Sequence, residues 1–238
     1  MSITIKNLDH VPTRYTITRE VAIAHLLNMA ALVGLLLVLT GSLLLQFGIG
    51  EQPCPLCLVQ RSGLIAMGIG PLLNLAIGLR PAHYAFSILA GCVGGAGSVR
   101  QILLHIAAPE DPGYGPAIFG YHLYTWAAIT GLVGIVGCAF LLMFQAQFVG
   151  SDAGILRSRS WLRLMGLAVA IWFAIYVVII AVSVLPECGL GLCPDDPPNI
   201  AGIGIPAGLA VIALIGAISV GIAYILNRRL PDRPEPSL

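Results

Sequence analysis

The chain has 238 residues, 58% of them hydrophobic and 10% charged, with 12 Lys and Arg against 11 Asp and Glu and a net charge of +1. With a mean hydropathy of +0.92 it cannot clothe a soluble globule in polar surface, which excludes a water-soluble protein and sets its apolar surface against lipid. The near-zero net charge hides an asymmetry, because the basic residues cluster at alternate boundaries between apolar runs.

Six apolar runs have the length a bilayer requires, roughly 20 residues each. They lie at 25–48, 56–79, 82–107, 122–145, 162–185 and 201–226. Backbone polar groups in lipid must be satisfied within each span, so the spans are helices and the fold class is all-α, a polytopic integral membrane protein. Lys6, Arg14 and Arg19 precede the first span, Arg80 separates the second and third, Arg157, Arg159 and Arg163 precede the fifth, and Arg228, Arg229 and Arg233 follow the sixth. The positive-inside rule makes these segments, and both termini, cytoplasmic. The alternate loops carry Glu51, then Glu110 and Asp111, then Glu187, Asp195 and Asp196, without Lys or Arg, and should face outward.

The amino-terminal segment 1–24 has no small-residue cleavage site after its apolar run, so the first span reads as a retained anchor. A four-helix unit over 25–146, a polar link over 147–161 and a two-helix extension over 162–226 follow. The tail, 227–238, is polar and Pro-rich, with a composition expected to be disordered. No internal repeat is evident. Gly91 with Gly95, and Gly131, Gly134 and Gly137, suit close helix packing, and Pro71 and Pro206 are expected to kink their helices.

Six cysteines divide into two kinds. Cys54 and Cys57 stand in the first outward loop and Cys188 and Cys193 in the third, whereas Cys92 and Cys138 lie within spans. An oxidising space outside the cell membrane favours disulfides for the first four. Cys54 and Cys57 have the C-x-x-C spacing of an exchanging pair, and Cys57 falls near the start of the second helix, where the helix dipole favours a thiolate. Arg61 follows at i+4 on the same face, within reach of that sulfur. An arginine inside a span either snorkels to the interface or serves a site, and the cost of intramembrane charge favours the second. Arg100, Gln101 and His105 interrupt the third span at a similar depth. Cys92 and Cys138 read as small buried hydrophobes, with a pair carrying electrons across the membrane as the sharper alternative.

Pro53 to Arg61, PCPLCLVQR, resembles the signature of the disulfide-bond-formation protein B (DsbB) family. Gly97 to His105, GSVRQILLH, is similar to that family's third-helix pattern, and the resemblance covers roughly residues 20–145. It implies a quinone-linked disulfide generator in a bacterial inner membrane, with its redox loops in the periplasm. Such a protein reoxidises a periplasmic thioredoxin-fold thiol oxidase (DsbA-like) and passes two electrons to the membrane pool of ubiquinone or menaquinone. No nucleic acid is expected among its partners. Carried onto this sequence, Cys54 and Cys57 are the quinone-proximal pair, Arg61 holds the quinone ring, and Gln101 and His105 are further quinone-site residues. His105 would be a proton donor.

One departure from the family pattern stands out. The family carries a second cysteine pair between its third and fourth helices, and Ala108 to Tyr121 contains no cysteine. Cys188 and Cys193 are therefore expected to replace that shuttle pair, the alternative being a disulfide that staples the loop. The neighbouring Glu187, Asp195 and Asp196 would disfavour a thiolate there. Two other readings of the four outward cysteines remain: a thiolate site for zinc or copper, and a quinone-coupled bundle of the vitamin K epoxide reductase type.

Overall fold

The computed structural model describes residues 18–108, 110, 117–149, 154–157, 161–189, 191, 193–194 and 199–229. Lys6, Arg14, Asp111, Arg159, Asp195, Asp196, Arg233 and the Pro-rich tail lie outside them, as do the side chains of Arg157 and Glu187. Among the described residues six α-helices form: α1 (Arg19–Leu43), α2 (Pro55–Ile77), α3 (Pro81–Ala107), α4 (Leu123–Leu142), α5 (Trp161–Cys188) and α6 (Ile205–Arg229). Each is long and apolar enough to cross a membrane, α1 together with the π-helical turn Leu44–Ile49 that extends it. The protein is an all-α polytopic membrane protein.

Local chemistry sets the ends. The Thr18 hydroxyl accepts from the Val21 amide at 3.3 Å and caps α1, satisfying one of the donors a helix start leaves open. Cys54 caps α2, and Pro55 occupies the first turn, where its missing N–H costs nothing. Pro206, expected as an interior kink, lies in the first turn of α6, which starts at Ile205. There it forfeits no intrahelical bond. Pro71 does lie inside α2 and is buried.

In chain order each helix packs on the next around α1 to α4, and α5 and α6 continue the bundle on the far side of α1. Where α2 meets α3, a Cβ added to Gly63 would run into the Gly94 backbone, so a small residue is required at that crossing. Gly91 and Gly134 also lie in contact faces, against Met67 and Ile135, whereas Gly137 faces open space. The extension is bound into the bundle: Phe173 of α5 packs over Gly68 of α2, and the Tyr176 and Thr40 hydroxyls hydrogen-bond at 2.8 Å.

At the end away from Cys54, buried polar groups tie three helices together. The Asn28 amide donates to the Tyr84 hydroxyl at 2.7 Å and accepts from Asn74 at 2.9 Å, and Asn74 also bonds the His83 ring at 2.8 Å. Tyr84 donates onward to Gln147 at 3.1 Å. Paired in this way, the amides avoid the penalty of unsatisfied polar groups in an apolar medium.

At the cysteine end the α5–α6 connection docks on the α1–α2 connection through the backbone. Ile200 N–H donates to Gly50 O at 2.9 Å, Ile203 N–H to Phe47 O at 2.9 Å and Gly204 N–H to Gly48 O at 3.0 Å. Gly50 has φ of +93°, and a Cβ there would strike the Ile200 carbonyl. Gly50→Ala should therefore combine left-handed strain with a backbone clash and destabilise the protein by about 2–3 kcal/mol. A lowered unfolding midpoint in detergent checks this; an unchanged midpoint would mean that the two loops are not docked.

Candidate functional site

The Cys54–Cys57 disulfide closes across the first turn of α2. Cys54, at the cap position, is 2% exposed, and its sulfur accepts from the Cys57 amide at 3.2 Å and from Gln101 Nε2 at 3.3 Å. Gln101 Nε2 is farther from the Cys57 sulfur, at 3.9 Å. Gln60 Nε2 donates to Gln101 Oε1 at 2.6 Å, which turns the Gln101 amide nitrogen toward the sulfurs. N–H donors aimed at a sulfur, reinforced by the helix start, stabilise it as an anion.

Arg61 lies one turn deeper and is buried. Its Nη1 donates to Gln46 Oε1 at 2.6 Å, just past the end of α1, and its Nη2 approaches the carbonyl of Ser42 in the last turn of α1 at 3.4 Å. Gln46, itself 1% exposed, belongs to the π-helical turn.

Beside these groups a cavity of about 330 Å³ opens between α1 and α4, with the start of α2 as one wall. Ser42 and Leu45 line it from α1 and its extension, Tyr124 and Ala127 from α4, and Cys54, Cys57, Gln60 and Arg61 from α2. Leu37, another lining residue, is 69% exposed on the outside of the bundle, so the cavity reaches the lipid-facing surface. Its volume falls at the lower end of the range for small-molecule sites. An apolar slot lined by a buried cation, the buried Gln60 amide and a disulfide fits a flat, redox-active ring with polar oxygens on an apolar tail.

Glu51 also lines this cavity, and burial pushes its carboxyl pKa up. Its backbone N–H donates to Leu45 O at 3.1 Å, and Gly50 before it is pinned by Ile200.

The residues expected from the sequence are thus partly gathered. Cys54, Cys57 and Arg61 line the cavity, and Gln101 sits behind the disulfide. His105 is outside the lining: its ring is 5.0 Å from that of His122 and 6.0 Å from that of Tyr124, centroid to centroid. Tyr124 itself lines the cavity, stacked on His122 at 5.2 Å. Cys188 and Cys193 close their own disulfide at the end of α5, on the same end of the bundle as Cys54, where Gly189 N–H bonds Leu185 O at 2.9 Å. Cys92 and Cys138 are free, the first exposed and the second buried. Gln46, Gln60 and Glu51 carry no site signature of their own in the sequence. The available signal was an uncharged amide inside an apolar span for the first two, and adjacency to the C-x-x-C for the third.

Six membrane-crossing helices with a cystine in the wall of a lipid-facing cavity define a membrane protein built around a thiol–disulfide couple. The chain belongs to the DsbB family: the family model described as "Disulfide bond formation protein DsbB" matches residues 24–187. The match continues past the four-helix unit, through α5, and stops one residue before Cys188. The chain is 31% identical to disulfide bond formation protein B of Saccharophagus degradans over 166 residues, covering 67% of this chain and 88% of that protein. It is 34% identical to the protein of the same description from Acinetobacter baylyi over 102 residues, 40% of this chain and 57% of that one. The corresponding Burkholderia ambifaria protein is 34% identical over 77 residues, 32% of this chain and 45% of that protein. The chain thus spans about half the length of several curated relatives it matches. No solved structure matches it.

Proposed function

We propose that the protein is a thiol:quinone oxidoreductase that serves disulfide formation outside the cytoplasm. Electrons pass from a reduced thioredoxin-fold partner to Cys188–Cys193, then to Cys54–Cys57, then to ubiquinone or menaquinone. The cysteine end of the bundle faces the periplasm of an inner-membrane protein whose termini are cytoplasmic. The observation that carries this reading is the cavity, which sets Cys54, Cys57 and Arg61 on one wall and opens toward lipid, where a quinone dissolves.

A bound quinone supplies the two-electron acceptor, and this chain's residues prepare the sulfurs for it. Gln101 and the Cys57 amide stabilise negative charge on Cys54. The Arg61 guanidinium, fixed by Gln46 and Ser42, offers charge where a ring oxygen becomes negative. The apolar side chains of α1 and α4 keep water from the exchanging sulfurs. Support for the second pair as shuttle comes from its loop, whose last residues are hydrogen-bonded to the segment just before Cys54. Thiolate coordination of a metal would require opening both disulfides.

Anaerobic mixing of the purified protein with quinone and a reduced thioredoxin-fold protein tests the reading. Loss of quinone absorbance in step with thiol oxidation is expected, and absence of that loss with both quinones would reject it.

A further inference from the structure

We propose that Glu51 is the proton-transfer group of the redox cavity, giving a proton to the quinone oxygen as the quinone is reduced. The inference rests on the proposed thiol:quinone activity and assigns it a residue the sequence patterns did not point to. Oxidation of the Cys54 and Cys57 thiols to the disulfide forms one S–S bond, breaks two S–H bonds and releases two electrons and two protons. All four end on the quinone, which becomes quinol. The electrons go directly, but a proton needs a carrier in a space walled by apolar side chains.

Among the described residues that line the cavity, Glu51 is the one carboxylic acid. Among the described residues, the titratable or charged groups facing the same space are Cys54 at the cap of α2, Cys57 and Arg61 from α2 and Tyr124 from α4, and α1 contributes no charged group to the lining. An arginine does not release its proton, and His105 lies behind Tyr124 rather than in the lining. Glu51 is placed with some precision. It follows Gly50, whose left-handed backbone is held by Ile200 of the α5–α6 connection, and its own amide is bonded to Leu45. Half-buried at the cavity wall, three residues before Cys54, it can take up a thiol proton on one side and deliver to the ring on the other. Burial favours its neutral, proton-bearing form, the state a donor needs.

The sign of the pH dependence follows. The donor form is present below the raised pKa of Glu51 and is lost as pH rises through it, so quinone reduction falls across that interval. The test uses the full chain in detergent with a short-tailed ubiquinone, in anaerobic single turnovers across pH. Glu51→Gln should slow quinone reduction by about 100-fold below the raised pKa and flatten the pH profile, and Glu51→Asp should restore the falling limb. Quenching of Trp126 fluorescence by the quinone should be the same in all three proteins, showing that the cavity is intact. A second readout needs no quinone: in the infrared difference spectrum between the wild type and Glu51→Gln, the carbonyl band of a protonated carboxyl should appear at low pH and vanish above the Glu51 pKa.

If Glu51→Gln matches the wild type in rate and profile, or that difference spectrum lacks the band, the assignment to Glu51 is overturned while the proposed activity stands. Loss of quinone binding in Glu51→Gln transfers the decision to Glu51→Asp: a restored limb supports the proposal and a flat one overturns it. A wild type that reduces no quinone overturns the activity itself.

Discussion

Arg61→Met is expected to slow quinone reduction by about 100- to 1000-fold, the range seen when one preorganised donor is removed from a site of developing negative charge. The substitution keeps an unbranched, apolar side chain of similar length, so the wall of the cavity stays filled. It deletes the only guanidinium among the described residues of the lining and removes the donor now 2.6 Å from Oε1 of Gln46, which is 1% exposed. Arg61→Lys keeps the charge but replaces a planar fork by a point donor, which cannot reach Gln46 and the Ser42 carbonyl in the same geometry. It should therefore fall between the wild type and Arg61→Met. Dithiothreitol as reductant isolates the quinone half of the cycle, and single-turnover absorbance reads it. An Arg61→Met protein as fast as the wild type would leave Arg61 a merely structural cation.

Cys188→Ser with Cys193→Ser is expected to abolish oxidation of a thioredoxin-fold partner while leaving dithiothreitol-driven quinone reduction unchanged. The division follows from where the sulfurs lie. Cys54 is 2% exposed under the start of α2, which a small dithiol can approach far more readily than the active site of a folded protein. Cys188 and Cys193 stand at the end of α5, and the segment after them is pinned to Gly48 and Gly50. Their loop is thus tethered to the one that carries the inner pair, the requirement for passing a disulfide between them by thiol exchange. A staple would behave differently: partner oxidation would persist in the double variant, and only the unfolding midpoint would drop.

Much of this organisation was legible in the chain because membranes impose strong rules. Six apolar runs gave each end of the six spans to within six residues, α1 beginning at Arg19 rather than 25, and Cys54, Cys57 and Arg61 of the C-x-x-C motif lie in the wall of the cavity. What remained hidden depends on how distant segments meet. Nothing local announces that α4 closes on α1 to form the cavity, nor that Gln101 turns its amide toward Cys54 because Gln60 holds its oxygen. The docking of residues 200–204 on 47–50 pairs two Gly-Ile-Gly tripeptides, 48–50 and 202–204, whose likeness is visible only once their contact is known. The end of α1 winds as a π-helical turn, which carries Gln46 into line with Arg61. Hydropathy alone reads that turn as ordinary helix.

The central claim is that Cys54 and Cys57 exchange their bond for electrons with a quinone in the adjoining cavity. The most direct measurement reduces the purified protein, removes the reductant without oxygen, adds quinone in excess over both cysteine pairs and traps remaining thiols with an alkylating label located by mass spectrometry. Protection of Cys54 and Cys57 on quinone addition, lost in Arg61→Met on the same timescale, is the predicted result. Full labelling of both cysteines after quinone addition to the wild type would contradict the account.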